Sequence, residues 1–202
     1  MNNDKLTKEQ KQAGFVDESR TLRFKKLGDD AVLPTKAHAT DSGFDLYAAE
    51  DVIIGPTKKA IVSTQVAVDL PEGYEAQVRP RSGITANTNL QVHLGTIDNG
   101  YTGDIGIIVE NTKPVFHSGV SIVGDNSADI AYTAPQFKLL MNTKDEYEET
   151  DEYYPVGTYI IRKGDKIAQL VVQKLPKFDT AVFLDGDIEK DRGDKGFGSS
   201  GV

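Results

Sequence analysis

The sequence predicts an all-β domain, an antiparallel barrel or sandwich, and three observations support this fold class. Between residues 22 and 111, short apolar runs are separated by turns, and no stretch shows convincing helical periodicity. Apolar and polar residues alternate over residues 66–70, as in a half-buried strand. Turn dipeptides such as the Asn-Gly at 99–100 separate the runs. Many short strands joined by turns are typical of closed or two-layered β folds.

Length, charge and cysteine content limit the possible functions. The chain has 202 residues, no cysteine and a formal net charge of −8. This length predicts a single domain with its own core. The lack of cysteine excludes disulfides and thiolate chemistry and predicts a reducing, cytoplasmic location. The acidic balance argues against direct nucleic-acid binding, and no apolar run approaches the roughly 18 residues of a membrane span.

The elements can be placed in order along the chain. Residues 1–20 form a polar N-terminal extension, in which residues 6–12 favour a short helix. The main β domain is predicted over residues 21–187. Its strands are expected at residues 22–27, 60–70, 74–80, 90–98, 101–111 and 158–175, the last folding as a hairpin that turns at Gly164-Asp165.

Two segments do not fit a plain β domain. Residues 113–156 separate strands that a compact fold normally joins by a few residues, so we interpret them as a folded insertion. Within it, residues 145–154 are strongly acidic and aromatic. Residues 188–202 are rich in glycine and serine and predict a flexible C-terminal arm.

The stretch GTIDNGYTGDI at residues 95–105 is the first candidate site. A two-residue hairpin with a type I′ turn would pair Asp98 with Tyr101 on one face. The next pair, Thr96 with Gly103, would leave the backbone bare on that face. Such a slot suits a flat, base-like ligand. The alternative is that Asp98 only bonds the turn backbone, as aspartate often does, and both interpretations stand at this point.

Two further stretches suggest a phosphate and a metal. Arg81, Ser82 and Gly83 offer a guanidinium, a hydroxyl and an unshielded amide to phosphate oxygens, although the same residues also suit an ordinary polar turn. Asp41 and Asp45 flank Gly43 and are hard oxygen ligands that suit Mg²⁺. They are equally explained as turn-forming aspartates.

The C-terminal stretch RGDKGFGSS at residues 192–200 has the glycine spacing of a phosphate-binding P-loop. That motif is rejected, because Ser199 stands where its lysine belongs and no helix can follow. The remaining alternatives are a strip that closes over a ligand, with Phe197 stacking, or a disordered tail.

Five stretches together resemble the ordered motifs of trimeric dUTP diphosphatases (dUTPases), over a range from about residue 35 to the end that excludes the insertion. They are ATDSGFDLYA, RSG, GTIDNGYTGDIGIIVEN, GDKIAQL and RGDKGFGSSG. The resemblance implies an antiparallel jelly roll that assembles as a homotrimer, each site drawing on all three chains. It implies Mg²⁺-dependent hydrolysis of dUTP to dUMP and pyrophosphate.

The resemblance also implies roles for individual residues. Asp98 takes the general-base position, and Tyr101 packs against the deoxyribose. Asp45 holds Mg²⁺ through water. The implied uracil-reading backbone lies at Val92, Thr96, Ile97 and Gly106. The implied phosphate contacts are Arg81, Ser82, Gly83 and Gln169, and the implied arm contacts are Arg192, Phe197, Gly198, Ser199 and Ser200.

The chain also departs from the family pattern. Val92 stands where many members have an asparagine that contacts the base, and Lys166 stands where an arginine is common. A dCTP deaminase would share the fold, but Ile108 occupies the position of its catalytic glutamate, so this reading is disfavoured. Insertions occur in some phage members, which also bind repressors. The segment 113–156 is therefore either a partner surface or a solvated loop, and phage origin would place the protein in the host cytoplasm.

Overall fold

The computed structural model describes residues 21–115, 120–122, 130–132, 134–178, 180–183 and 185. The first half of this part contains β1 (Arg23–Lys26), β2 (Phe44–Tyr47), β3 (Val52–Ile54), β4 (Lys59–Val62), β5 (Val66–Asp69), β6 (Tyr74–Pro80), α1 (Ser82–Asn87), β7 (Leu90–Val92), β8 (Gly95–Ile97) and β9 (Ile107–Asn111). The second half contains β10 (Val120–Ile122), β11 (Ile130–Tyr132), β12 (Gln136–Met141), β13 (Tyr147–Pro155), β14 (Tyr159–Ile161) and β15 (Lys166–Lys174). The all-β fold class is confirmed.

The strands form small sheets that are almost entirely antiparallel. One sheet has the order β2-β15-β6-β8, a second β4-β9-β7 and a third β13-β12-β14-β3. Strands β1 and β5 form a pair, as do β10 and β11. The single parallel contact among the described strands joins β12 to β14, at Met141 and Tyr159. Closure by many short sheets leaves one continuous interior between them.

That interior is an aliphatic core supplied by alternate residues of nearly every strand. Leu46, Ile105, Ile107, Ile167 and Leu170 are fully buried. On β6, Ala76 and Val78 face inward while the residues between them stay partly exposed, which is the period-two pattern expected of a strand with one face on the core. The core therefore holds β6, β8 and β15, and the candidate site lies on these strands and on the segments beside them.

The first predicted hairpin is correct only at the far ends of its arms, where β7 pairs with β9, and the second is wrong in its pairing. Strand β8 pairs with β6, placing Thr96 opposite Gln77, whereas β9 pairs with β4 and β7. Residues 98–106 connect the two sheets without strand structure. In the same way, β14 pairs with β3 and β15 pairs with β2 and β6. The turn at Gly164 exists, with Asp165 N donating to Arg162 O at 2.9 Å, but it joins two sheets.

The sequence prediction also missed a helix. Residues Ser82–Asn87 form α1, which buries only Ile84. A helix of six residues is too short to show a 3.6-residue apolar pattern, so it left no periodic signal.

The insertion contains strands in its described part. Strands β12 and β13 form an antiparallel hairpin, and Leu140 and Met141 are buried. The division at residues 20, 113, 156 and 187 stays a prediction, and the predicted helix at residues 6–12 lies outside the described residues. None of the described helices has the length and apolar character that crossing a membrane requires.

Candidate active site

The turn that carries Asp98 is held by an amide side chain. Tyr101 N donates to the main-chain oxygen of Asp98 at 3.0 Å, which closes the turn. Asn99 Nδ2 donates to Leu70 O at 2.8 Å and to Pro71 O at 2.7 Å, which ties the turn to the end of β5. Neither Asn99 nor Gly100 is among the described residues with positive φ, so the predicted type I′ turn is wrong. Asn99 stabilises the turn through its side-chain hydrogen bonds and not through a positive φ angle.

A cavity of about 440 Å³ opens beside this turn. Its lining comprises Ile61, Val78, Gly95, Thr96, Ile97, Asp98, Tyr101, Asp104, Gly106 and Ile108. Five residues with predicted nucleotide roles, Thr96, Ile97, Asp98, Tyr101 and Gly106, therefore lie together. Gly106 lets the Ile61 side chain pack closely against the main chain, because a Cβ there would come within 2.8 Å of Ile61 Cγ2.

The carboxylate of Asp98 is exposed at the edge of the cavity. Among the described residues it accepts no hydrogen bond, since only its main-chain oxygen is used in the turn. The alternative in which this side chain bonds the turn backbone is therefore not what the fold adopts. A carboxylate without protein partners remains available to a ligand or to water.

Tyr101 lies over Gly103, and this corrects the predicted role of the glycine. A Cβ on residue 103 would fall 2.6 Å from Tyr101 Oη and 2.8 Å from Cζ. Tyr101 Oη also donates to Asp104 O at 2.8 Å. Gly103 thus makes room for the ring and does not leave the backbone bare. The predicted pairing of Thr96 with Gly103 is wrong, because Thr96 pairs with Gln77.

Of the four residues predicted to read the uracil, Val92 is the one that does not line the cavity of Asp98. It is buried on β7, opposite Val109 of β9, and lines a separate cavity of about 280 Å³. Its side chain therefore does not reach the cavity of Asp98.

A second cluster is centred on Asp45, which is only 6% exposed. Lys166 Nζ lies 2.9 Å from Asp45 Oδ2. Arg81 Nε lies 3.1 Å from Asp45 Oδ1, but this buried nitrogen has no acceptor in hydrogen-bond geometry, so the contact is an ion pair. Arg81 Nη1 donates to Lys166 O at 3.0 Å. The hydrogen bond to Asp45 raises the pKa of Lys166, which keeps its ammonium charged.

The other predicted phosphate residues flank this cluster. Ser82 and Gly83 are exposed on the first turn of α1, and the space around Gly83 is open. Gln169 lies between Asp45 of β2 and Arg79 of β6 in the strand register. The strand register and the ion pair thus place Asp45, Arg81 and Gln169 close together, and their roles toward phosphate and Mg²⁺ stay predictions. The arm residues Arg192, Phe197, Gly198, Ser199 and Ser200 lie outside the described part of the chain.

The donor set limits how Mg²⁺ could bind. The described residues contain no group of three or more acidic or histidine side chains arranged around a metal position. Asp45 supplies a single carboxylate, and both of its oxygens face cations. This chemistry does not fit a closed protein cage. It fits an ion that arrives with phosphates, keeps its waters and meets one carboxylate through them.

Sequence reasoning missed Ile61, Val78, Gly95, Asp104 and Ile108 in the cavity lining. Gly95 and Asp104 stand inside the stretch that was singled out, so proximity along the chain could have found them. Ile61 comes from β4 and meets Ile108 only through the β4–β9 pairing, which no local pattern encodes.

Comparison with known proteins connects these clusters to a family. The dUTPase family model matches residues 29–117. A deoxyuridine 5'-triphosphate nucleotidohydrolase of Mycolicibacterium vanbaalenii is 34% identical over 187 residues, covering 90% of this chain and 95% of that protein. The enzyme of the same name from Clostridium tetani is 50% identical over 93 residues, which cover 45% of this chain and 64% of the relative's length.

Solved structures of phage proteins share the fold. A mutant dUTPase of Staphylococcus bacteriophage 80alpha with dUpNHpp has a TM-score of 0.76 at 35% identity, covering 91% of this chain and 99% of that chain. For that phage structure, phage dUTPases are said to control transfer of virulence genes by a proto-oncogenic G protein-like mechanism. A phage phi11 mutant, described as revealing the coordination of a structural Mg(II) ion, has a TM-score of 0.67 at 31% identity, covering 85% of this chain and 99% of that chain.

Proposed function

The chain belongs to the dUTPase family of dUTP diphosphatases, and we propose that it hydrolyses dUTP to dUMP and pyrophosphate in the cytoplasm, with Asp98 as the general base. The observation that carries this proposal is the exposed carboxylate of Asp98, without a hydrogen-bond partner among the described residues, at the edge of the 440 Å³ cavity. Such a carboxylate can take a proton from a water that attacks the α-phosphorus. Pyrophosphate then leaves. The reaction keeps uracil out of DNA and supplies dUMP for thymidylate synthesis.

The cavity suits a uracil deoxynucleoside. Main-chain groups of residues 95–106 border it and can pair with the polar edge of a base. Ile61 and Gly106 are close enough to restrict its depth, which disfavours the extra methyl group of thymine. Tyr101 is 45% exposed and presents its ring to the cavity, where it can pack against a deoxyribose.

The triphosphate would be held by the second cluster. Arg81 uses Nη1 and Nε within the protein, and its Nη2 makes no hydrogen bond to a described residue. Together with Ser82, Gly83 and Gln169 it can bind phosphate oxygens. Mg²⁺ carried by the triphosphate would meet Asp45 through water and would supply charge compensation. With charge and position supplied in this way, no covalent enzyme intermediate is needed.

A homotrimer is part of this proposal. Among the described residues, no side-chain hydrogen bond or ion pair links Asp98 and the other residues that line its cavity to the Asp45–Arg81 cluster. Apolar side chains are exposed at Ile61, Leu94, Phe178 and Phe183, which suits contacts between copies. A trimer would allow the base cavity of one copy to meet the phosphate cluster of the next and the arm of the third.

The activity test is pyrophosphate release from a nucleotide panel. Wild-type protein with Mg²⁺ is expected to turn over dUTP and to leave UTP and dTTP nearly untouched, with the rate falling after chelation. Asp98→Asn keeps the shape of the side chain but removes the base, so kcat should fall by about 10²–10⁴.

The matched control is Asp69→Asn, which changes an exposed aspartate that pairs with Arg23. It should keep the wild-type rate. A folded wild-type protein without dUTP turnover, or an Asp98→Asn variant at full rate, would refute the proposal.

We also propose a regulatory role in which the insertion, residues 113–156, binds a protein partner such as a repressor. Support comes from β13, which lies at the edge of its sheet and exposes Glu149, Asp151 and Tyr153. Unpaired edge strands with aromatic side chains are common contact surfaces. The G protein-like mechanism described for the phage 80alpha dUTPase is consistent with such a role.

The regulatory role is tested by titrating purified candidate repressors into the protein. A variant with Glu149→Lys, Asp151→Lys and Tyr153→Ala should lose binding and keep dUTP turnover, because these side chains lie outside both clusters. Unchanged repressor binding by this variant would exclude the surface. Absence of binding by the wild-type protein to every repressor tested would count against the role itself.

A further inference from the structure

The segment 98–106, which carries Asp98 and Tyr101, has no strand structure, yet it is tied to the core at both ends. Asn99 binds the end of β5 at its start. At its other end, Ile105 is fully buried and Ile105 N donates to Val66 O at 2.9 Å. Thr64 Oγ1 donates to Ile105 O at 2.9 Å. The segment is therefore an irregular but anchored support for the site.

Asp104 anchors this segment with three side-chain contacts, more than any other residue of the segment. Its Oδ2 accepts a hydrogen bond from Ser63 Oγ at 2.6 Å. Its Oδ1 accepts from Val66 N at 3.2 Å and lies 3.1 Å from Thr64 Oγ1, whose one proton is shared between this oxygen and Ile105 O. Ser63 and Thr64 belong to the connection between β4 and β5, and Val66 is the first residue of β5, some forty positions earlier in the chain. The carboxylate thus fixes residue 104 to a rigid part of the fold.

The main chain of the same residue fixes Tyr101. Asp104 O accepts from Tyr101 Oη at 2.8 Å and also from Gly106 N at 3.0 Å. Gly103 lies beneath the ring, where a Cβ would be only 2.6 Å from Tyr101 Oη. Because the ring is 45% exposed, few packing contacts hold its rotamer, and this hydrogen bond adds to the contact with Gly103 in holding it.

We infer that Asp104 is a positioning residue that sets sugar selectivity, because its carboxylate anchors the carbonyl group that orients Tyr101. This inference rests on the proposed function, in which Tyr101 packs against the deoxyribose. A ring held at one angle leaves no space for a 2′-hydroxyl. A ring that rotates freely gives that space, so UTP would then be accepted. Displacement of the same segment would also move Asp98, which lowers the rate with dUTP.

The test compares kcat/KM for dUTP with kcat/KM for UTP in three variants. Asp104→Ala removes all three side-chain contacts, and the dUTP/UTP ratio should fall on the order of tenfold or more. Asp104→Asn keeps one oxygen for Thr64 and Val66 and should restore most of the selectivity. Gly103→Ala leaves Asp104 intact but displaces the ring, so it should lower the ratio as Asp104→Ala does.

The matched control is Asp51→Ala. Like Asp104, Asp51 accepts one hydrogen bond from a main-chain amide, that of Lys163, and one from a side chain, that of Arg162. It should lose stability without a change in the dUTP/UTP ratio. The inference is overturned if folded Asp104→Ala keeps the wild-type ratio. If that variant does not fold, an unchanged ratio in Gly103→Ala overturns it. Failure of the wild-type protein to hydrolyse dUTP would instead refute the proposed function.

Discussion

At the residue scale, Asn111 is a buried polar group that joins segments distant in sequence. It is fully buried at the end of β9. Its Nδ2 donates to Ile54 O at 2.9 Å and to Gly157 O at 2.8 Å, and its Oδ1 accepts from Lys113 N at 3.0 Å. Every polar atom of the side chain is therefore satisfied, which is the condition for burying an amide.

We expect Asn111→Leu to lower the free energy of unfolding, because it orphans the main-chain partners Ile54 O, Gly157 O and Lys113 N. Each orphaned group costs about 1–3 kcal/mol. The measurement is urea denaturation. Gln91→Leu, the same kind of change at an exposed position of β7, is the control and should be nearly neutral. Equal stability of the two variants would contradict this account of Asn111.

Much of the site was predictable at the residue scale, and the limit was side-chain contact. The motif stretches singled out Asp98, Tyr101, Asp45 and Arg81, but the residue types alone left turn-forming alternatives open, and their roles came from the ordered set of five stretches and stay predictions. The hydrogen bond between Tyr101 and Asp104 was not predictable, since it depends on a loop path that no propensity encodes.

At the element scale, the positions of the strands were more predictable than their partners. Apolar patterning located β5 and β6 well, although only β6 has the alternating burial of a strand with one face on the core, since three consecutive residues of β5 are buried. The Asn-Gly signal predicted a hairpin, yet β8 pairs with β6 because tertiary pairing and the Asn99 hydrogen bonds outweigh the local turn preference. Turn residues indicate that the chain bends there. They do not indicate which strands meet.

Gly164 and Gly100 give a matched test of the two turns. Gly164 has φ of +89°, whereas Gly100 is not among the positive-φ glycines, and both have open space around them. Gly164→Ala should therefore lower the free energy of unfolding by about 1–2 kcal/mol, since an L residue is strained at that φ. Gly100→Ala should cost little. Thermal or urea unfolding measures both, and a large cost at Gly100 would restore the type I′ turn.

At the scale of the whole molecule, ion pairs join segments that are distant in sequence. Arg162, after β14, contacts Asp51 before β3 at 2.6 Å and Glu148 of β13 at 2.8 Å. The amide of Lys163 and the guanidinium of Arg162 lower the pKa of Asp51, and Arg162 lowers the pKa of Glu148. Such long-range assembly could not be predicted from local patterns, which is why the sheet order was missed.

In the folded protein, the pKa values of Asp51 and Glu148 lie below their ordinary values of 3.8 and 4.5. The two carboxylates therefore stabilise the fold at pH values above the ordinary pKa values, and this stability is lost as the pH falls through the folded-state pKa values. Arg162→Gln should therefore cost at most about 1 kcal/mol at pH 7, since the pairs are partly exposed. The difference from wild type should shrink below about pH 4. Arg79→Gln, which removes hydrogen bonds to neutral Gln77, is the control. A gap between Arg162→Gln and wild type that is constant with pH would contradict the assignment.

The assembly proposal predicts the mass in solution. Three copies of the 22.0 kDa chain give about 66 kDa, measured by light scattering during size-exclusion chromatography. Ile61→Lys places a charge on an exposed apolar position beside the cavity and should lower both the mass and the turnover, because the site needs neighbouring copies. A 22.0 kDa wild-type species with full dUTP turnover would refute the trimer.

The most direct measurement is a crystal structure of the protein with Mg²⁺ and dUpNHpp. The account predicts the uracil in the cavity bordered by residues 95–106, with Tyr101 against the deoxyribose. The Asp98 carboxylate should lie within about 2.6–3.2 Å of a water that faces the α-phosphorus. A base bound outside that cavity, or an α-phosphorus beyond the reach of Asp98 and its water, would contradict the account.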